Sequence, residues 1–567
     1  MEKIKRYLKR IWWAINPFNG ATWIDRIMPP GSKKRIEYDK EQTEKRYKEK
    51  VENYYKFSDS ETAEYWKGID HRLFLKYKDS LEKELTDYEK WLQKNSLTDK
   101  EVIEEEKKKF FLGPKISIVV PLYNTNIDFF RELLYSVHCQ KYKNWELCLA
   151  DGSPKPIEEI KQMVLNDNRI KYKFLGENKG IAENTNEAIK MATGNYIAFL
   201  DHDDLLEINA LFEVVKNIKK YKADFLYTDE DKFHFIDEPY FEPFFKPDFA
   251  IDTLRSNNYI CHFTVIKKKL LDKVGYLQSE YNGAQDYDLI LRATSKARKI
   301  IHIAKILYHW RLHNSSTSKS LETKPYVYEA GKRAIEKSLE QNGLQGTVNV
   351  DLKYGTYCVN YDILGTPSVA VITNNKDFNT SYSNCNIYEE GTSIKNLNED
   401  YVVFLSNNCK VITDNWIEKM LGFCQRDDVG AVGGKIYKDG KIYNAGYILS
   451  PKTGVIEIFK GISKDENLYF SRTNIIQNLN AVSGKCMMIK RKLISEFTTD
   501  IDTCLQLRSK NYKVVFNPYI ECEYNGQDID ITDEKRNEFI KKWLSKLNDE
   551  YYNENLSLDS NIYELKG

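Results

Sequence analysis

The rhythm of apolar and polar positions changes three times along this chain. In residues 1–15, MEKIKRYLKRIWWAI, Ile4, Tyr7, Leu8, Ile11, Trp12 and Ile15 recur at helical spacing among Lys3, Lys5, Arg6, Lys9 and Arg10. A basic helix with tryptophans can lie in a membrane interface, or it can pack on its own protein. INPFNG and MPPGS then break the chain. Residues 36–110 are rich in Glu, Lys and Tyr and almost free of Gly and Pro, which predicts helices in a hairpin or short coiled coil. From Pro114 the pattern shortens into strand-length runs. KISIVVPLY, WELCLADGS, IKYKFLG and NYIAFLD read as strands, and GIAENTNEAIKMATG reads as a helix closing on Gly194. Strands alternating with helices at this spacing predict a mostly parallel α/β sheet.

From about Thr366 the same pattern returns in weaker form. PSVAVITNN parallels ISIVVPLYN, and YVVFLSNNCKV parallels YIAFLDHDDLL. In that alignment Ser406 and Asn408 stand where the first copy has Asp201 and Asp203. Ser117 and Asp201 are 84 residues apart, whereas Ser368 and Ser406 are 38 apart. The second copy is therefore expected to lack about half of one side of its sheet and both charges. The expected division is a basic N-terminal segment (1–35), a helical region (36–113), a catalytic domain (114–345), a degenerate copy (366–545) and a C-terminal tail (546–567).

The candidate chemistry sits at strand ends, where parallel sheets bind ligands. Pro121, Tyr123, Asp151 and the DHDD cluster of 201–204 should converge there. Residues two apart on an extended chain point the same way, so Asp201 and Asp203 can face one point. Hard carboxylate oxygens in that arrangement suit Mg2+ or Mn2+, which also bridge phosphate oxygens. YTDEDK adds Asp229, Glu230 and Asp231. GAQDYDLILR opens a helix with Asp286, which is either an N-terminal helix carboxylate or a general base for an attacking hydroxyl. Of His302, His309 and His313 in IHIAKILYHWRLH, His309 is the candidate for a further metal or phosphate contact.

Composition excludes more than it selects. Charged residues make up 30% of the 567 and the net charge is +1, so no global field points to nucleic acid. No apolar run approaches the length of a membrane span. The ten cysteines show no C-x-x-C pair and read as reduced thiols of a cytoplasmic protein.

Taken in order, SIVVPLYNT, WELCLADGS, NKGIAENTNEAI, FLDHDD, YTDEDK, FFKPDFAIDTLRSNNYI, GAQDYDLILR and LYHWR make residues 114 to about 325 resemble a family 2 glycosyltransferase of the nucleotide-diphospho-sugar (A-type, Rossmann-like) fold. By motif the chain resembles bacterial rhamnosyltransferases of rhamnan, O-antigen and cell-wall polysaccharide assembly. The resemblance implies that Pro121, Tyr123 and Asp151 frame the nucleotide base, with Asp151 accepting from a pyrimidine ring N–H. It implies that Asn178 and Lys179 lie near the ribose or diphosphate, and that Asp201 and Asp203 carry metal and nucleotide. It further implies that Asp286 is the base of an inverting transfer. The donor it favours is dTDP-rhamnose, with a UDP-hexose as the alternative. The acceptor would be a lipid-linked glycan reached from the inner face of the membrane. A nucleotidyltransferase would show a Gly-rich basic loop after the first strand, which PLYNTNID lacks, and a processive synthase would need membrane spans. A non-catalytic scaffold fits residues 366–525 but not 114–325.

Overall fold

The computed structural model describes residues 85–97, 112–236, 238–313, 325–375, 378–527, 533–544 and 549–566, with scattered positions between 34 and 110. The basic segment 1–15 lies outside the described residues, as does most of the expected helical region. The chain divides into two units, one of residues 1–95 with 233–239 and one of residues 96–232 with 240–567. In the first, Asp87–Asn95 is a helix that buries Tyr88 and Trp91. Everything below concerns the second unit.

Its first half is a nine-stranded sheet: β1 (Ile116–Leu122), β2 (Trp145–Asp151), β3 (Ile170–Phe174), β4 (Tyr196–Phe199), β5 (Leu205–Leu206), β6 (Phe225–Phe233), β7 (Phe241–Phe244), β8 (Val265–Lys267) and β9 (Ile300–Arg311), in the order β3-β2-β1-β4-β8-β6-β9-β5 with β7 on β6. β1 through β4 pair in parallel, and β8 enters antiparallel between β4 and β6. β1 is apolar almost throughout because helices cover both of its faces. Gly194 is required where the chain re-enters the sheet: a Cβ there would lie 2.5 Å from Ser117 Oγ and 2.7 Å from Lys115 O. The connection from β1 runs outward to β2, while the one from β3 returns past β1 to β4. The order therefore reverses between β1 and β4, and a crevice opens at their carboxyl ends.

A hairpin, β10 (Gly346–Asp351) and β11 (Thr356–Tyr361), leads into a second nine-stranded sheet. It contains β12 (Val369–Ile372), β13 (Cys385–Tyr388), β14 (Tyr401–Leu405), β15 (Cys409–Val411), β16 (Val429–Lys438), β17 (Lys441–Asn444), β20 (Gln477–Leu479), β21 (Cys486–Lys490) and β22 (Lys513–Tyr524). A two-stranded ribbon, β18 (Tyr447–Ser450) and β19 (Gly454–Glu457), lies beside it. The order β13-β12-β14-β21-β16-β22-β15 repeats the first sheet without its outermost strand. This corrects the expectation that half of one side is missing. One strand has gone, and the shortening comes chiefly from helices. No helix joins β12 to β13 among the described residues, and only the 3-10 turn Ile394–Asn396 precedes β14.

The two sheets share one apolar core, in which Val119 and Tyr287 of the first half belong to the same cluster as Val371 and Met488 of the second. A buried ion pair, Arg426 with Asp252, crosses the junction. Phe244 stacks on Phe470 with ring centroids 3.9 Å apart. Residues 549–566, expected as a tail, are a strap packed on both halves. Asn553 donates to both Asp229 oxygens and to Lys246 O, while Asp549 accepts from Leu449 N and Asn480. No helix among the described residues is long and apolar enough to cross a membrane.

Candidate active site

At the crevice between β1 and β4 lies a cavity of about 800 Å³. Pro121 and Tyr123 line it from the end of β1, Asn178 and Asn184 from the start of the helix Ile181–Met191, Asp201, His202 and Asp203 from the turn after β4, and Trp310 and His313 from β9 and its end. Asn178 and Asn184 bond to each other at 3.0 Å, and the buried Asn184 Oδ1 has no partner at the cavity wall. The sequence-predicted Pro121, Tyr123, Asn178, Asp201 and Asp203 are thus brought together.

Three of the expected residues are placed elsewhere. Asp151 is fully buried, and its two oxygens accept from Ser153 N (2.9 Å) and Tyr172 Oη (2.5 Å), so it supports the wall instead of lining it. Lys179 points to solvent and pairs with Glu177 at 3.0 Å. His309 lies on the other face of β9 from Tyr308 and Trp310, since successive strand side chains alternate. Both of its ring nitrogens are engaged, by Asp231 at 2.6 Å and Glu207 at 3.2 Å. Burial opposes its charge, but those two carboxylates raise its pKa to about 10. An imidazolium held this way is not a metal ligand. Of the histidines of 302–313, the one beside the acids is His313, whose Nε2 lies 2.7 Å from Asp203 Oδ2.

The carboxylates of the DHDD turn are used unequally. Asp204 is buried and takes Tyr308 Oη (2.5 Å) and Arg311 N (2.7 Å). Burial, with Asp203 and Asp201 nearby, raises its pKa well above the ordinary range. The Asp201 side chain is half exposed and faces His262 at 3.7 Å. His262 stacks on Tyr308 (4.6 Å) and reaches Glu230 with its other nitrogen at 3.2 Å. Burial opposes protonation of His262, yet Cys261, Glu230 and Asp201 outweigh it and raise its pKa well above the ordinary value. Glu230 is held down at about 2 against its burial by Lys246 and His262.

Asp201, Asp204 and His262 bring ligand-type atoms within 4.8 Å of one another. Each Asp204 oxygen already accepts from a protein donor. The oxygens that face the cavity belong to Asp201 and Asp203, which are hard donors suited to a small divalent cation. Behind them, Asp286 stands in the first turn of the helix Gln285–Lys296, half-buried, accepting from Asn258 Nδ2 at 2.8 Å. Burial raises its pKa. Cys261 Sγ lies 4.0 Å from Asp286 and 3.5 Å from His262, so one short segment, 258–262, touches both the DHDD turn and Asp286. Sequence reasoning missed His262 and Asn258, although both fall in or just after the motif FFKPDFAIDTLRSNNYI.

The acids of the second copy are spent on structure. Asp500 accepts from Gly484 N and Tyr447 Oη, and Asp502 from Trp543 and Lys542.

A family model described as "Glycosyl transferase family 2" matches residues 117–275. The uncharacterized protein y4gI of Sinorhizobium fredii is 32% identical over 537 residues, covering 80% of this chain and 59% of that protein. The O-antigen biosynthesis protein RfbC of Myxococcus xanthus is 26% identical, covering 84% of this chain and 43% of its own. The chain thus spans about half the length of these relatives. Among solved structures, S. aureus TarS 1-349 in complex with UDP-GlcNAc is 25% identical over 40% of this chain and 66% of its own, with a TM-score of 0.33.

Proposed function

Residues 117–275 form a family 2 glycosyltransferase domain, and from that premise we propose that this chain transfers a sugar from a nucleotide diphosphate to a hydroxyl of a lipid-linked surface polysaccharide, with inversion at the anomeric carbon. The observation that carries the reading is the shared cavity, with Asp201 and Asp203 beside Pro121, Tyr123 and Asn178 and with Asp286 behind. Pro121 and Tyr123 would hold the base, and Asn178 with Asn184 the ribose or diphosphate. Asp201 and Asp203 would hold Mg2+ or Mn2+, which when bound neutralises charge on the diphosphate. Asp286 takes the proton of the acceptor hydroxyl as its oxygen bonds to the anomeric carbon. The bond to the diphosphate oxygen breaks on the opposite face. The raised pKa of Asp286 suits a base whose conjugate acid must form near neutral pH. The glycan acceptor is supported by the likeness to the O-antigen biosynthesis protein RfbC, and rhamnose as the sugar by the motif resemblance alone.

The test is a panel of dTDP-, UDP- and GDP-sugars incubated with the purified chain and Mn2+, with a chelator control, scored by nucleoside diphosphate release. Chelator-sensitive consumption of dTDP-rhamnose supports the full reading. Consumption of another donor replaces the sugar and keeps the mechanism. Consumption of none refutes the reading.

A further inference from the structure

The duplicated sheet places a second polar cavity where the first copy is filled. Ladder registers make the correspondence. Ala198 pairs with Val265 and Leu226 with Val265 in the first sheet. In the second, Val403 pairs with Met488 and Val432 with Met488. Leu226 thus matches Val432, and counting three residues on sets Asp229 against Lys435, where the β16–β22 register shifts between Gly434 and Lys435. Asp229 is enclosed: His302 Nε2 lies 2.8 Å away, Lys246 N donates at 2.8 Å, and Asn553 of the C-terminal strap closes the site. Lys435 has no such plug. It faces a cavity of about 600 Å³ with Asn474, Tyr437, Thr413, Lys464 and Glu521.

Lys435 is 97% buried by exposure, being 3% accessible, yet Asn474 Oδ1 at 3.2 Å is its only hydrogen-bond partner among the described residues. An ammonium has three donors, and one neutral acceptor, with the Tyr437 ring 5.6 Å away and the Glu521 charge nearby, leaves its burial costly unless something else meets the remaining donors. Burial pushes its pKa down to about 8. Glu521 does not pair with it; that carboxylate takes Tyr437 Oη at 2.6 Å. The wall carries Lys419, Lys435 and Lys464 against Asp351, Asp465, Glu521 and Glu523. An anion would meet four carboxylates and a cation three ammonium groups. A neutral ligand rich in hydroxyls suits both, because each hydroxyl donates to a carboxylate and accepts from an ammonium. Two further tyrosines, Tyr354 and Tyr519, add aromatic surface for the apolar faces of sugar rings.

We propose that this cavity of the second domain binds a neutral oligosaccharide, a segment of the glycan that the first domain extends, with Lys435 donating to its hydroxyl oxygens and Asn474, whose own amide protons go to Asn467 and Thr473, positioning the ammonium. The identity of the ligand as acceptor glycan rests on the transferase reading; its chemistry rests on the cavity alone.

The test uses the full chain on an array of neutral three- to six-sugar oligosaccharides, with oligouronates and inorganic phosphate as anionic probes, followed by calorimetric titration of the best binder. Lys435→Met should weaken that binding about tenfold or more, since it removes a charged donor, and Asn474→Ala should weaken it less. Both should leave binding of nucleoside diphosphate with Mn2+ unchanged. Should Lys435→Met fail to fold, Asn474→Ala decides. Absence of any neutral binder, undiminished binding by the folded variants, or competition by phosphate overturns the proposal. Loss of the binding in Asp201→Asn also overturns it, because the sugar would then sit in the first cavity. If no nucleotide sugar is consumed but binding sensitive to Lys435 is found, the transferase reading fails and this one stands.

Discussion

Removing Asp252 should loosen the junction of the two sheets by a calculable amount. Asp252 is 2% exposed and accepts from Arg426 and from Asn478 Nδ2 at 2.7 Å. In Asp252→Ala the guanidinium stays buried at the junction. It keeps Asp428, which is 43% exposed and 3.0 Å away, and Tyr361 Oη at 3.2 Å. Removing one partner of a buried ion pair costs roughly 3–5 kcal/mol, and the retained partners place this variant near the lower end, at about 3 kcal/mol. That is a change of roughly a hundredfold in the folding equilibrium. The double variant Asp252→Leu with Arg426→Met leaves no orphaned charge and should recover all but about 1 kcal/mol. Urea unfolding followed by tryptophan fluorescence and far-UV circular dichroism measures both. A single variant within about 0.5 kcal/mol of the parent, or a double variant less stable than the single, would show that the pair does not hold the junction.

Asp203→Asn should reduce turnover roughly a hundredfold or more, since an amide is a poorer ligand for a hard dication, and near-parental transfer at saturating manganese would refute this. Asp286→Asn should leave donor binding by calorimetry intact while kcat drops on the order of a hundredfold or more. The parent's activity should fall as the pH drops through an Asp286 pKa raised above the usual aspartate range, because the base works only when ionised. By the same shift, ionising Asp286 costs folding free energy as the pH rises from the unfolded pKa through the folded one. Asp286→Asn should therefore melt above the parent at pH 8 and lose that advantage in acid, and equal melting at both pH values would count against the shift. Asn553→Ala should cost about 1.5–3 kcal/mol in chemical denaturation, because it strips a donor from the fully buried Asp229, and Asn553→Asp should cost more.

The parallel half of the fold was legible because β1, β2 and β4 are apolar runs of strand length bounded by turn residues, and a strand covered on both faces must read that way. The DHDD turn was legible for the same reason, since it follows such a run directly. Other features depend on partners distant in sequence. Asp151 is silenced by Tyr172, 21 residues away. His309 and His313 could be told apart only once β9 was seen to end at Arg311, which leaves His309 inside the strand, paired with Leu205, and His313 in the chain beyond it. His262 carries no local signature at all. It matters because β8, which follows it, inserts between β4 and β6 and brings it against Asp201. The duplication was visible in sequence, but the chain length lost between β12 and β14 was read as half of one side of the sheet when it is one strand and the connecting helices, since a count of residues does not distinguish a helix from a strand.

The strap sets the order of events when this polypeptide is made. Asn553 follows Asp229 by 324 residues. At synthesis rates of about 5–20 residues per second, roughly 15–65 s separate the emergence of the two. Through that interval β6 carries a carboxylate whose closing donor has not been synthesised, so the first sheet can form its parallel half but cannot finish sealing β6. The donor that closes Asp229 Oδ2 in the first sheet is then supplied from beyond the second sheet. A chain cut before residue 549 should still build the crevice between β1 and β4, but Asp229 would keep only Lys246 N and His302, both on Oδ1, and its Oδ2 would lose the Asn553 donor.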